Sequence, residues 1–333
     1  MKIAFFDTKP YDKVTFTPIA EKLGVEINYF DEKLTKETAH LAKGYDASCS
    51  FVNDNVSAEA VQTLKDVGIK AILLRCAGFD SIDLEKAKEL ELPVLRVPAY
   101  SPASVAEFAV TLLMAVNRKV HVGYNRTTEF NFSIDGLLGT DLRGKTAGVI
   151  GTGKIGKVLI EILTGFGMNI IAYDLFPDKS SGIKYVDLDT LLKESDVISL
   201  HAPLTKDNKH MINKDSIAKM KDDVFLINSA RGGLINTLDL IDALEQGKFA
   251  GVGLDVCEHE NDYFFEDMSD KEEKDETLAK LLSFDNLILT GHQAFFTKEA
   301  TDAIAEITLN NFINFMKDGD LTNEVNRFLE SIK

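Results

Sequence analysis

Over the first hundred residues, short apolar runs alternate with amphipathic stretches of helical period. Strands are expected at 2–6, 25–30, 47–52, 71–76 and 94–97, with helices such as 58–67 and 84–90 between them. This alternation predicts a parallel sheet covered by helices on both faces. Pro98, Ala99, Tyr100, Ser101 and Pro102 break the pattern and read as a hinge. Residues 103–122 follow as one long helix, apolar nearly all round at Val105, Ala106, Phe108, Ala109, Leu112, Leu113 and Val116. A helix without a polar face is buried, and a partner subunit is the expected cover. A second series of strands is expected at 146–150, 170–173, 197–201, 224–228, 251–256 and 287–290. An amphipathic helix from Thr297, carrying Ala300, Ile304, Ile307, Phe312 and Phe315, closes the series and is expected to pack back on the first domain. The expected domains are therefore 1–99 with 298–333, and 100–297. The acid-rich stretch 258–276 reads as a solvated loop.

The strand at 146–150 runs into Gly151-Thr152-Gly153-Lys154-Ile155-Gly156, and a helical pattern follows. This is the dinucleotide-binding fingerprint. Gly151 allows the tight turn, Gly153 lets the backbone approach a pyrophosphate, and Gly156 lets helix pack on strand. Asp174 closes the next apolar run, 18 positions after Gly156 (156 to 174), close to the spacing of an acceptor for the ribose 2′-OH. Leu175 and Phe176 follow it with no adjacent arginine for a 2′-phosphate, which favours NAD over NADP. The fingerprint lies near the middle of the 333-residue chain, so a domain of nearly equal size precedes it. That domain has no GxGxxG and is no second nucleotide site.

Composition narrows the partners. An apolar content of 45% and a charged content of 27% are those of a soluble globular protein. The net charge of −16 argues against DNA or RNA, whose non-specific binding depends on Lys and Arg at phosphates. No run reaches the length of a membrane helix, and the N-terminal apolar stretch is too short for a signal peptide. Cys49, Cys76 and Cys257 lie in strand-like runs without metal-ligand spacing, so reduced thiols, a cytoplasmic setting and no metal are expected. The sequon at Asn131-Phe132-Ser133 is accidental in that setting.

In open α/β sheets, ligands sit beyond the carboxyl ends of the strands, so polar residues that end apolar runs are the candidates. Four runs qualify: 224–231 ends in Arg231, 251–255 in Asp255 with Glu258 and Glu260 beyond, 287–292 in His292, and 197–201 in His201 before Ala202 and Pro203. Alone, each reads as a structural residue. Together, an arginine, a carboxylate and a histidine on one nucleotide sheet suit hydride transfer at a 2-oxo acid. A guanidinium polarises the carbonyl and holds the carboxylate through paired donors. A histidine exchanges the alcohol proton, and a carboxylate orients the imidazole and favours its charged form.

The motifs RCAGFDSID (75–83), VPAYSPASVAEFA (97–109), GVIGTGKIG (148–156), HAPLT (201–205), INSARGGLIN (227–236), GLDVCEHE (253–260) and GHQAFFT (291–297) resemble the D-2-hydroxyacid dehydrogenase family, and within it the D-lactate dehydrogenases. The resemblance covers essentially the whole chain. It implies an α/β fold of two doubly wound parallel-sheet domains, a Rossmann NAD-binding domain inserted into a flavodoxin-like substrate domain, with a cleft that closes over substrate. It also implies that Arg231, Glu260 and His292 are catalytic, the glutamate being the fifth residue after Asp255, which selects Glu260 over Glu258. Gly291 departs from the pattern, in which proline commonly precedes the histidine. By the same resemblance, Ala77, Gly78 and Phe79 offer backbone N–H groups to the substrate carboxylate and Tyr100 contacts substrate. Phe51 lies over the substrate side chain, and Phe295 supplies a second apolar wall. Asp255 lies near the nicotinamide, and His201, Ala202 and Pro203 border the cofactor, whose contacts include Asn208, Ser229 and Ala230. The activity implied is fermentative, NAD-dependent interconversion of pyruvate and D-lactate by a homodimer. The alternatives are a 2-hydroxyisocaproate, 2-hydroxyglutarate or glyoxylate enzyme of the same family, a non-enzymatic NAD-sensing scaffold, and, most distantly, a methyltransferase.

Overall fold

The structure is a computed structural model and describes residues 1–258, 260, 263–270 and 275–326. The chain forms two compact units: Met1–Ser101 with the segment from Phe296 onward, and Pro102–Phe295.

The first unit is built on a parallel sheet of β1 (Lys2–Phe5), β2 (Glu26–Tyr29), β3 (Ala47–Ser50), β4 (Ala71–Leu74) and β5 (Val94–Leu95), in the order β2-β1-β3-β4-β5. Every residue of β3 and β4 is buried, as expected for inner strands covered on both faces. The helices α1 (Pro10–Leu23), α2 (Ala58–Asp66) and α3 (Leu84–Glu89) form the crossovers. Pro10 suits the start of α1, where its missing N–H costs nothing, and Gly24 ends the helix in a left-handed turn at φ 69°.

The second unit opens with α4 (Pro102–Asn117) and α5 (Val120–Thr128). Its sheet comprises β6 (Thr146–Ile150), β7 (Asn169–Tyr173), β8 (Val197–Leu200), β9 (Val224–Asn228), β10 (Phe249–Leu254) and β11 (Leu287–Leu289), in the order β7-β6-β8-β9-β10-β11. Tyr185 adds a parallel bridge to Ala172 of β7, the trace of one further strand on that edge. With it the order becomes that of a dinucleotide-binding sheet, which reverses between β6 and β8. The crossovers are α6 (Lys154–Gly165), α7 (Leu188–Glu194), α8 (Lys214–Lys219), α9 (Thr237–Glu245) and α10 (Glu276–Leu282). Within the first unit, α11 (Lys298–Asp318) packs on α1, capped by Thr297 at its start, and buries Ala300, Ile304, Leu309 and Phe312.

Two expectations change. The helix expected at 103–122 stops at Asn117, because Lys119 turns left-handed at φ 48° and α5 starts anew. Much of the apolar surface of α4 is covered by its own unit: Ala106, Ala109, Leu112, Leu113 and Val116 join one core with residues of α6, β6 and β9, while Phe108, Val110 and Met114 are half-buried against it. Phe130, Phe132, Ile134 and Leu138, a run after α5, are among the exposed apolar side chains. Of the charged stretch 258–276, residues 259, 261, 262 and 271–274 lie outside the described residues.

Glycine on β10 makes the close approach of α4 possible. A Cβ on Gly253 would lie 2.9 Å from the Leu112 side chain and 3.0 Å from that of Ile227. Gly253→Ala is therefore expected to destabilise the protein by about 1–3 kcal/mol in urea unfolding. A Cβ on Gly165 of α6 meets nothing within 4 Å, and Gly165→Ala is expected to raise stability by roughly 0.5–1 kcal/mol in the same assay. Equal effects of the two substitutions would contradict this packing.

Candidate active site

The site begins where β6 ends. Gly151 sits at φ 93°, and a Cβ there would fall 2.7–2.8 Å from the backbone of His201 and Ala202, so only glycine fits the turn. A Cβ on Gly156 would collide with the carbonyl of Gly151, which explains the glycine where α6 crosses the strand. Gly153 is the N-cap of α6 and provides no side-chain cap, and the space beside it is open. Uncapped N–H groups at a helix start favour a phosphate. Lys154 is exposed, while Ile155 packs on the core.

Asp174 follows β7. Its Oδ2 accepts from the Thr152 N–H at 2.6 Å and the Thr152 Oγ1 at 2.9 Å, and its Oδ1 accepts from the Phe176 N–H at 2.9 Å. Burial penalises its charge, but these bonds outweigh that and hold the carboxyl below its usual range. A carboxylate has about four acceptor positions, so one remains for a ribose hydroxyl. The Tyr185 hydroxyl lies 2.9 Å from Thr152 Oγ1 and completes this group.

His201 pairs through Nε2 with Ser199 Oγ at 2.8 Å, and burial pushes its imidazole down to about 4. It is neutral at physiological pH and is no proton donor there. Asn208 closes the following loop on itself, its Oδ1 accepting from the Thr205 N–H and its Nδ2 donating to the Pro203 carbonyl.

Beyond β9, the buried Asn228 shapes the turn that presents Arg231. Its Nδ2 donates to the Arg231 carbonyl at 2.9 Å and its Oδ1 accepts from the Ala230 N–H at 3.0 Å. A Cβ on the next residue, Gly232, would strike the Cys257 backbone, so this glycine brings the end of β9 against the end of β10. Arg231 is half-buried, and its Nη1 donates to the Ala230 carbonyl at 2.7 Å.

The centre of the site is the turn after β11. His292 has φ 56°, a left-handed conformation that is uncommon for a residue with a side chain. The fully buried Asp255 holds that turn. Its Oδ1 accepts from Thr290 Oγ1 at 2.6 Å and the Gln293 N–H at 2.9 Å, its Oδ2 from the Ala294 N–H at 2.8 Å, and its carbonyl from the His292 N–H at 2.9 Å. Burial pushes the Asp255 carboxyl above its ordinary value, against the pull of these bonds and of His292. Its carboxylate serves the turn that carries His292. Gly291 needs no positive φ and has open space at its Cβ, so the turn is fixed without a proline.

The His292 Nδ1 lies 2.7 Å from Glu260 Oε1, and Glu260 Oε2 accepts from the Cys257 N–H at 3.0 Å. Both side chains are mostly buried. Glu258 is engaged elsewhere. Its Oε1 meets His210 Nε2 at 2.6 Å, and its Oε2 accepts from the backbone and hydroxyl of Thr237 at the start of α9. Phe265, which sequence reasoning missed, lies 5.9 Å from the His292 ring and 6.5 Å from Phe295. Among the described residues, no group of three or more His, Cys, Asp or Glu could hold a metal ion.

The first unit contains the remaining candidates. Phe51 is buried directly after β3, and Tyr100 is half-buried. Ala77, Gly78 and Phe79 form the loop after β4. Arg96, absent from the sequence-based set, braces it: Nη1 donates to the Ala77 carbonyl at 3.1 Å, and the guanidinium lies 5.4 Å from the Phe79 ring centroid.

The second unit fits a dinucleotide. The flank of Gly153 is open, Asp174 keeps acceptor capacity, and the buried Ser229 Oγ and His201 Nδ1 have no hydrogen-bond partner among the described residues. Such a sheet, with an arginine and a glutamate-paired histidine at its strand ends, defines the class of nicotinamide-dependent dehydrogenases. Residues 110–294 match the family of the D-isomer specific 2-hydroxyacid dehydrogenase, NAD binding domain. A D-lactate dehydrogenase of Escherichia coli (strain K12) is 47% identical over 328 residues, covering 98% of this chain and 100% of that protein. The structure of the pyruvate reductase of Chlamydomonas reinhardtii aligns with a TM-score of 0.91 at 41% identity, over 97% of this chain and 98% of that one. A D-lactate dehydrogenase with NAD⁺ from Lactobacillus jensenii aligns at 0.82 with 36% identity, over 98% and 99%. The chain belongs to the D-isomer specific 2-hydroxyacid dehydrogenase family, and its cofactor is NAD.

Asp255→Asn replaces one acceptor oxygen by a donor that faces a backbone N–H. It is expected to lower stability by about 1–3 kcal/mol, the cost of a buried group left unpaired. Turnover should fall with it, because His292 loses its backbone restraint. Unfolding curves and kcat check this together, and unchanged values of both would refute the role given to Asp255.

Proposed function

We propose that this enzyme is a D-lactate dehydrogenase, reducing pyruvate to D-lactate and catalysing the reverse reaction. The observation that carries the proton chemistry is the 2.7 Å contact between His292 Nδ1 and Glu260. Glu260 orients the imidazole through Nδ1, which leaves Nε2 to exchange the proton. Arg231 polarises the C2 carbonyl and holds the substrate carboxylate with its fork of donors. The backbone N–H groups at Ala77, Gly78 and Phe79 take the carboxylate, and Tyr100 contacts substrate. When bound, NADH would supply a hydride to C2 and be left as NAD⁺. His292 Nε2 gives its proton to the C2 oxygen, and the substrate leaves as the 2-hydroxy acid. The cofactor contacts proposed are Gly151 to Gly156, Asp174, His201, Ala202, Pro203, Asn208, Ser229, Ala230 and Asp255, the last near the nicotinamide while its carboxylate holds the His292 turn.

Pyruvate is favoured because Phe51 and Phe295 are apolar walls suited to a methyl group and offer no cation for a second carboxylate. The names of the E. coli and Chlamydomonas relatives support this substrate. We also propose a homodimer, supported by the exposed Phe130, Phe132, Ile134 and Leu138. A cytoplasmic, fermentative enzyme fits three free cysteines and the absence, among the described residues, of a helix able to cross a membrane.

A panel of 2-oxo acids with NADH, followed by absorbance and by chiral analysis of product, tests the reading. Pyruvate is expected to give the highest kcat/KM, with D product. A preference for 2-oxoisocaproate, 2-oxoglutarate or glyoxylate would replace it with another activity of the family, and NADH binding without reduction would make the chain a scaffold. His292→Asn is expected to cost about 10²–10⁴-fold in kcat. Arg231→Lys should be nearly as harmful, since one ammonium cannot reproduce the fork.

A further inference from the structure

In the first unit, three neighbouring strands deliver a charged cluster that the reaction itself does not use. Arg75, the residue after β4, is 1% exposed. Its Nη1 donates to the Phe6 carbonyl at 3.0 Å, its Nη2 to the Asp7 carbonyl at 2.7 Å, and its Nε lies 3.4 Å from Asp12 Oδ1. Two aromatic rings pack against the guanidinium as well. One ring is Phe5, with its centroid 4.5 Å away, and the other is Phe51 at 4.6 Å. The backbone of Phe51 is held by a second buried charge. Asp54 Oδ2 accepts from the Phe51 N–H at 2.6 Å, while its Oδ1 accepts from the Leu34 N–H at 2.7 Å. Burial pushes the Asp54 carboxyl up to about 7, against the pull of Arg75 and of those two N–H groups.

A buried ion cluster is a poor source of stability, and well-packed apolar residues do as well or better. What this one supplies is position. The guanidinium is fixed by the carbonyls of Phe6 and Asp7 just after β1 and by Asp12 of α1, and Phe51 packs against it with its main chain tied to Asp54. We propose that Arg75 and Asp54 are positioning residues for Phe51, and that through Phe51 they set which 2-oxo acids the enzyme accepts. The proposal rests on the reading of Phe51 as a wall for the substrate side chain. An apolar wall rejects one extra methylene by roughly 10–200-fold only while it holds its place. A wall free to slide admits ethyl and benzyl substituents and grips methyl less well.

The test compares wild type, Phe51→Leu, Asp54→Asn, Arg75→Lys and the double variant Phe51→Leu/Asp54→Asn. Kinetics are measured with pyruvate, 2-oxobutyrate and phenylpyruvate, and NADH binding is followed by fluorescence. Phe51→Leu is expected to raise the kcat/KM ratio of 2-oxobutyrate to pyruvate by about tenfold. Asp54→Asn and Arg75→Lys should shift it the same way, through a higher KM for pyruvate, with kcat within about threefold and NADH affinity unchanged. The lysine keeps the charge but loses the planar face, so it does not substitute. In the Phe51→Leu background, Asp54→Asn should add nothing to selectivity, because both act through one side chain. A merely structural role would lower kcat and stability without moving the ratio, which overturns the proposal. A ratio that moves in Phe51→Leu but not in Asp54→Asn removes the positioning role and leaves the wall intact. An unchanged ratio in Phe51→Leu removes the wall, and the proposal with it. A wild type that reduces none of the three acids refutes the activity itself, a failure seen before any variant is compared. Asp54→Asn decides alone if Arg75→Lys does not fold.

Discussion

The catalytic half of this enzyme depends on one buried carboxylate that holds a strained turn. A left-handed backbone at a residue such as His292 costs on the order of 1–3 kcal/mol, and it persists only where its surroundings over-determine it. Asp255 provides that constraint with one hydroxyl and two backbone N–H donors within four residues of sequence. Hydrogen bonds to a charged partner contribute roughly 1.5–3 kcal/mol each, so together they exceed the strain. They do not fully return the loss of hydration, since the carboxyl is still pushed above its ordinary value. The turn is held at a net cost to that one group. In exchange the imidazole is presented to Glu260 with little freedom left.

Carboxylates and histidines are not rare at the strand ends of the second unit, and environment decides which of them can move a proton. His210 has a carboxylate as close as that of His292, but Glu258 is also the acceptor for Thr237 at the start of α9. That pair joins a loop to a helix. His201 has only a serine, and burial keeps it neutral. His292 alone among these three combines a carboxylate, a constrained turn and an aromatic neighbour, Phe265. The two histidine–glutamate pairs share a left-handed histidine and a second glutamate oxygen held by a backbone N–H, and they differ in whose N–H it is: Thr237 at the start of α9 for Glu258, Cys257 beyond β10 for Glu260.

Much of this was legible in the sequence wherever the signal is local. The glycine turn, the apolar runs of both sheets and the polar residues that end them follow from periodicity and the rule of strand carboxyl ends. What was not legible depends on partners distant in the chain. Nothing in the sequence announces that the acceptors of Asp255 go to backbone N–H groups 38 and 39 positions later. The break after Asn117 carries no glycine or proline, so α4 and α5 read as one helix. Its apolar faces suggested a partner, whereas Gly251 and Gly253 on β10 open room for them inside the unit. Asn228, Arg96 and Phe265 had no motif of their own. Each matters through a neighbour: a turn, a loop or a ring.

The same architectural rule produces opposite results in the two sheets. An open parallel sheet leaves a crevice where its strand order reverses, and ligands enter there. In the second unit this point lies between β6 and β8, and it is kept clear by glycines and by a helix start with no side-chain cap. In the first unit it lies between β1 and β3, and the sequence fills it from within. Arg75 reaches across from β4 to the carbonyls of Phe6 and Asp7, with the Phe5 and Phe51 rings packed against its guanidinium. A cation there satisfies the Phe6 and Asp7 carbonyls from within, and no glycine-rich helix start is left beside it for a pyrophosphate. The chain therefore has two sheets of related winding but one dinucleotide site. The difference lies in whether the switch point carries glycine or arginine.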